Sequence, residues 1–163
     1  MKVLAIDPGN IESGYCVMDS IDYRPLLQGK KENDDVLKLL CDLSESDEIG
    51  MLVVEMIASY GMAVGKTVFD TCVWIGRFIE AAKERGIDFD FVYRMEEKMQ
   101  ICGSMKAKDT NIRQALIDRF AETANGKGTK INPDFFYGFA KDSWMAFAVG
   151  TVWIDKFYAN GAV

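Results

Sequence analysis

The stretch Val3-Leu4-Ala5-Ile6-Asp7-Pro8-Gly9 constrains this chain more than any other. Four apolar residues run into a lone carboxylate, and a Pro-Gly turn follows at once. A short continuous apolar run bounded by a turn predicts a strand buried on both faces, as in the middle of an α/β sheet. Asp7 then falls at the carboxyl end of that strand, where such sheets place their ligand sites. Asp and Pro-Gly also favour turns for local reasons, so this stretch alone leaves a plain turn open. Gly14 to Asp19 resumes β character, which predicts a hairpin.

Two further carboxylates follow the same logic. Met51-Leu52-Val53-Val54 reads as a second buried strand, and it too ends on a lone acid, Glu55. Asp142 opens a very apolar helix that runs to about Phe157; an Asp there is also a common helix cap. Three carboxylates from distant sequence, converging at one sheet end, make a site for hard divalent cations such as Mg²⁺. Two such ions roughly 4 Å apart activate the attacking water and stabilise the leaving oxygen in phosphodiester hydrolysis. That chemistry needs no histidine, and this sequence has none.

The remaining segments fill in an alternating pattern. Arg24 to Lys30 predicts a third strand, closed by the charged turn Lys30 to Asp35. Asp34 and Asp35 then cap a helix that turns Val36, Leu39, Leu40 and Leu43 inward. Gly65 to Arg85 is helical, with Gly86 at the C′ position, and Phe89 to Tyr93 is a last short strand. Arg94 to Lys108 reads as a less regular basic stretch. Asp109 or Thr110 caps a helix through about Ala121, and Asn125 to Lys130 reads as a flexible basic loop. The segment Gly61 to Thr67 has a P-loop's setting but three residues between its glycines, where that loop needs four. No nucleotide cofactor is expected.

A chain of 163 residues predicts one domain, spanning residues 1–163. No apolar run approaches a membrane span, and no signal-like segment opens the sequence. The cysteines Cys16, Cys41, Cys72 and Cys102 form no C-x-x-C pair, which predicts free thiols in a reducing cytoplasm. Without histidine there is no Ser-His or Cys-His nucleophile pair, so carboxylates, lysines or metal ions must do any catalysis. The net charge of −6 argues against indiscriminate coating of nucleic acid. Charge is unevenly spread: through Tyr60 there are five basic and twelve acidic residues, and from Arg94 to Lys130 eight basic and five acidic.

The succession of motifs resembles the RuvC family of Holliday-junction resolvases, within the RNase H-like superfamily. The matching pieces are Ile6-Asp7-Pro8-Gly9 with Ser13-Gly14-Tyr15, Val53-Val54-Glu55, Lys108 to Arg113, and Lys141-Asp142-Ser143-Trp144-Met145-Ala146. They look most like the divergent RuvC-like proteins of phages and prophages. The resemblance implies an α/β fold of RNase H type: a five-stranded mixed sheet flanked by helices on both faces. It implies a homodimer and nicking of branched DNA that depends on Mg²⁺ or Mn²⁺, with two ions per site. Asp7, Glu55 and Asp142 match the family's metal-ligand positions. Its fourth ligand, an Asp or His three residues before the last aspartate, falls here on Phe139. Either Lys141 or a nearby acid such as Asp134 stands in, or the second ion is held more loosely.

Phosphate contacts are expected from Lys106, Lys108 and Arg113, from Lys127 and Lys130 on the following loop, and from Lys66 across the cleft. Tyr60, just past Glu55, is placed to stack on an unpaired base at a branch point. The helix Gly65 to Arg85 carries Phe69, Val73, Trp74 and Phe78, more apolar surface than one core stripe uses, and is expected at the dimer interface. Two rival readings differ in class. The actin and Hsp70-type ATPases share the opening motif but need two such domains, and a non-catalytic DNA-structure-binding or assembly protein would keep the fold without the fourth ligand.

Overall fold

Alternation along the first strand decides the architecture. In the computed structural model, which describes residues 1–46, 48–159 and 161, β1 (Lys2–Asp7) is the middle strand of a five-stranded mixed sheet. β2 (Glu12–Asp19) pairs antiparallel with β1, and β3 (Pro25–Glu32) antiparallel with β2. On the other side, β4 (Met51–Met56) runs parallel to β1 and β5 (Asp88–Tyr93) parallel to β4. The order is therefore β3-β2-β1-β4-β5.

Side chains of a strand alternate between faces, so β1 feeds two cores. Leu4 and Ile6 pack beneath α1 (Asn33–Glu45) and α2 (Lys66–Glu84), with Leu52 and Val54 of β4. Val3, Ala5 and Val53 point the other way, into a core built with α4 (Asp109–Phe120) and α5 (Lys141–Ala159). Fully burying each Val, Leu or Ile side chain among them stabilises by about 1.5–3 kcal/mol. α5 is the centre of that second layer, and every residue from Ser143 to Ile154 is buried. No helix is long and apolar enough to cross a membrane, among the described residues.

The turn after β1 is tied down by two polar side chains far apart in sequence. Asn33 donates from its side-chain amide to the Gly9 carbonyl at 2.8 Å. It also accepts the Ser13 hydroxyl at 2.5 Å, and that same hydroxyl accepts the Gly9 N–H at 3.2 Å. Both Ser13 and Asn33 are buried.

Three local expectations change. The charged stretch Lys30 to Asp35 is no turn, because β3 runs directly into α1, with Asn33 inside and Asp34 and Asp35 in the first helical turn. The basic loop Asn125 to Lys130 is not loose: the Asn125 side chain accepts the backbone N–H groups of Lys127 (2.9 Å) and Gly128 (3.0 Å), and Gly128 bridges to Pro133. The segment expected to be irregular after β5 contains a helix, α3 (Arg94–Cys102). Glu96 accepts the Tyr93 N–H at 2.7 Å to cap it, and Gly103 ends it in the left-handed conformation. Its amphipathic signal is weak because the residue it buries is a carboxylate, Glu97.

Candidate active site

Register and alternation place Asp7 and Glu55 together. Ile6 pairs with Val54 in the parallel β1–β4 ladder, so the next residues, Asp7 and Glu55, leave the sheet side by side. Both continue the alternate set that faces α5. Their carboxyl groups influence each other's titration. Burial raises the Asp7 pKa, opposed by the neighbouring Glu55 carboxyl and by the charge of Arg94. Burial also raises the Glu55 pKa, helped next by the charges of Glu97 and Asp7.

Asp142 arrives from the third element. It sits in the first turn of α5, where Gly14 of β2, the register partner of Asp7, lets the helix start approach the sheet. Lys30 of β3 holds the Asp142 carboxylate at 3.5 Å and Glu12 at 3.3 Å. A cavity of about 320 Å³ opens between Asp7, Asp142, Lys141, Arg113, Asp109 and Trp144. A second groove, of about 370 Å³, runs from Asp7 and Asp142 past the Pro8-Gly9 turn to Lys30.

A fourth carboxylate, Glu97 of α3, was not singled out by the sequence. It is 0% exposed, and burial raises its pKa, against the opposing pull of Arg94. Arg94 donates to its Oε2 at 2.8 Å, while Oε1 has no hydrogen-bond partner among the described residues. The same guanidinium pairs with Asp109 and lies 3.3 Å from the Met145 sulfur. The signal available in sequence is the Arg94–Glu97 spacing of three, which pairs side chains on one helix face. Reading it requires first that α3 be recognised as a helix.

Phe139, at the position where the resemblance expects a ligand, is 2% exposed. Its ring packs against Phe136 (5.1 Å), Trp144 (5.2 Å) and Phe147 (5.8 Å), within the aromatic core. Asp134 is engaged elsewhere: it accepts the Thr123 N–H at 2.7 Å and the Thr123 hydroxyl at 2.5 Å, contacts that hold its pKa well below the ordinary range. Among the described residues, no three acidic or thiol groups stand in a ready-made ligating arrangement.

Among solved structures, that of Thermus thermophilus RuvC superposes with a TM-score of 0.70 at 16% identity, covering 99% of this chain and 97% of that one. The fold is that of RuvC. T. thermophilus RuvC in complex with a Holliday junction substrate gives 0.69 at 15% identity, with 98% and 95% covered. The yeast mitochondrial Holliday junction resolvase Ydc2 gives 0.57 at 12% identity, with 96% of this chain and 80% of that one covered. No family model and no curated protein matches the sequence.

Within this RuvC fold the expected DNA-contacting residues fall in separate places. Arg113 stacks 4.9 Å from the Trp144 ring and lines the cavity with Lys141. Lys106 borders a different hollow, beside Cys102 and Asn111. Lys108 is the N-cap of α4, its backbone N–H bound to Asn111 at 2.9 Å. Lys66 is paired with Asp70 at 2.5 Å in the first turn of α2. Lys127 and Lys130 lie on the tied loop between α4 and α5.

Tyr60 is 61% exposed at the tip of a turn closed by Met62 N–H to the Ser59 carbonyl (2.9 Å). Its φ is 49° and that of Gly61 is 81°, so both central residues are left-handed. For a tyrosine this backbone is strained by about 1 kcal/mol or more. On α2, Phe69 and Val73 are 60% and 63% exposed, whereas Phe78 is buried.

Proposed function

We propose that this chain is a divalent-metal-dependent endonuclease that cuts branched DNA of the Holliday junction type. The observation that carries the reading is the facing pair Asp7 and Glu55 at the ends of two parallel strands, with Asp142 entering from the helix laid over them. The donors are carboxylate oxygens throughout, the set that suits Mg²⁺ or Mn²⁺. Asp7, Glu55 and Asp142 would hold such ions, two per site, which when bound activate water and stabilise the leaving oxygen.

The chain's own residues supply the rest. Arg113 and Lys141, across the cavity from Asp7, clamp the scissile phosphate, and Lys30 neutralises Asp142 while no phosphate is near. Lys66, Lys106, Lys108, Lys127 and Lys130 hold the flanking arms more loosely. Tyr60 stacks on an unpaired base at the branch point, which would explain a strained, exposed aromatic on the loop after Glu55. Two symmetric cuts need two sites related by a two-fold axis, and the exposed Phe69–Val73 face of α2 suits a homodimer contact. One nuclease domain, working in a reducing cytoplasm with its four cysteines free, accounts for residues 1–163.

The test is cleavage of a synthetic four-way junction with Mg²⁺ or Mn²⁺ against a linear duplex of the same sequence. Cutting that depends on the ion and is lost in Asp7→Asn, with junction binding retained, supports the reading. A second reading, a branched-DNA-binding protein without catalysis, draws on the aromatic core contact of Phe139. Tight junction binding with no cutting under either ion would favour it.

A further inference from the structure

A buried carboxylate is costly unless both its oxygens are satisfied. Glu97 is 0% exposed and satisfies one. An arginine–carboxylate pair frequently uses the guanidinium as a two-pronged fork that satisfies both oxygens. Here Arg94 gives Nη1 to Glu97 and Nη2 to the exposed Asp109 instead, so Oε1 is left over. The position of α3 explains where that oxygen is spent. β5 lies beside β4, Glu55 pairs with Val92, and α3 springs from the residue after Tyr93. One turn later, Glu97 comes back towards the ends of these strands, where its charge acts on Glu55 and that of Asp7 acts on it.

We propose that Glu97 is the fourth carboxylate of the divalent-cation site, delivered from α3 because the position on the approach to α5 is taken by the core residue Phe139. The proposal rests on the metal-dependent reading above. Two cations pair with the outer acids: Lys30 with Asp142 at 3.5 Å and Arg94 with Glu97 at 2.8 Å. A divalent ion carries more charge than either and draws both acids in. Arg94 loses little when it releases Glu97, since Asp109 remains its partner.

Mn²⁺ binding to the full chain, followed by electron paramagnetic resonance and calorimetry, tests this alongside thermal unfolding in chelator and in Mn²⁺. Glu97→Gln should weaken Mn²⁺ binding at least tenfold or remove one ion per chain. Its melting temperature in chelator should hold or rise, and the increase caused by Mn²⁺ should shrink. Glu97→Asp, which keeps the charge but shortens the reach, should also weaken binding and serves if the Gln variant folds poorly. Unchanged Mn²⁺ affinity and stoichiometry in these variants, with a lower melting temperature in chelator, overturns the proposal and leaves Glu97 as a partner for Arg94. Full Mn²⁺ binding in Glu97→Gln with binding lost in Asp7→Asn overturns this inference alone. A wild-type chain that takes up no Mn²⁺ at millimolar concentration overturns the metal-dependent reading as well.

Discussion

A β-carbon on Gly14 would stand 2.6 Å from the carbonyl oxygen of Asp142. The start of α5 thus rests directly on the β2 backbone, opposite Asp7 in the ladder. This closeness, not the length of the Asp142 side chain, sets how near the third carboxylate comes to the strand ends. Gly14→Ala should push the first turn of α5 outward. Overpacking of this kind costs about 1–3 kcal/mol, so urea unfolding should show a loss of that size, and junction cleavage should fall by a larger factor than junction binding. Full activity in Gly14→Ala would show that the approach is not needed.

The buried acids give the stability a distinctive pH slope. Asp7, Glu55 and Glu97 have folded pKa values raised by burial. The folded protein therefore keeps protons that the unfolded chain releases above its ordinary carboxylate range, near 4. Stability falls as pH rises through that range and keeps falling until the raised values are passed. Asp134, Asp155 and Glu96 have lowered values; their contribution is complete above the ordinary range and is lost only below it. From about pH 5.5 to 8 the site therefore sets the sign. Melting temperature in chelator should decline across that window, Asp7→Asn should flatten the decline, and Mn²⁺ affinity should rise with pH as ligand protons leave. A melting temperature that climbs through the window would contradict the assignment.

Tyr60 separates shape recognition from phosphate binding. Tyr60→Asn keeps a residue that tolerates the left-handed backbone, so unfolding should change by less than about 1 kcal/mol. Its preference for a four-way junction over linear duplex should drop, since stacking is worth about 1–3 kcal/mol per base. Arg113→Ala should instead flatten the salt dependence of binding, by about one unit for each phosphate the side chain neutralises. Equal weakening of both substrates by Tyr60→Asn would refute the stacking role.

The α2 surface makes a separate claim. Phe69 and Val73 sit one helical turn apart and both are more than half exposed. Phe69→Glu with Val73→Lys should leave the monomer's stability within about 0.5 kcal/mol, as surface changes do. Sedimentation at micromolar concentration should show the wild type as a dimer and the double variant as a monomer. A monomeric wild type would remove the dimer proposal.

What the sequence determined by itself is local. The apolar runs Val3–Ile6 and Leu52–Val54, each ending on an acid, specify two central strands, because burial on both faces demands apolar side chains on both. Gly86, at φ 69°, marks the end of α2 as its position implied. The succession of motifs was enough to indicate the RNase H type of sheet. Tertiary structure decided the rest. Whether Asp7 and Glu55 share a face depends on the register between β1 and β4, which neither strand encodes alone. Phe139 could be read only as a missing ligand, until its packing showed it to be a core residue. Glu97 was invisible for a physical reason: an inward-facing carboxylate erases the apolar periodicity by which a helix is recognised. Arg94, which makes its burial tolerable, and Asp7 and Glu55, whose like charges oppose it, come together only when α3 folds back over the strand ends.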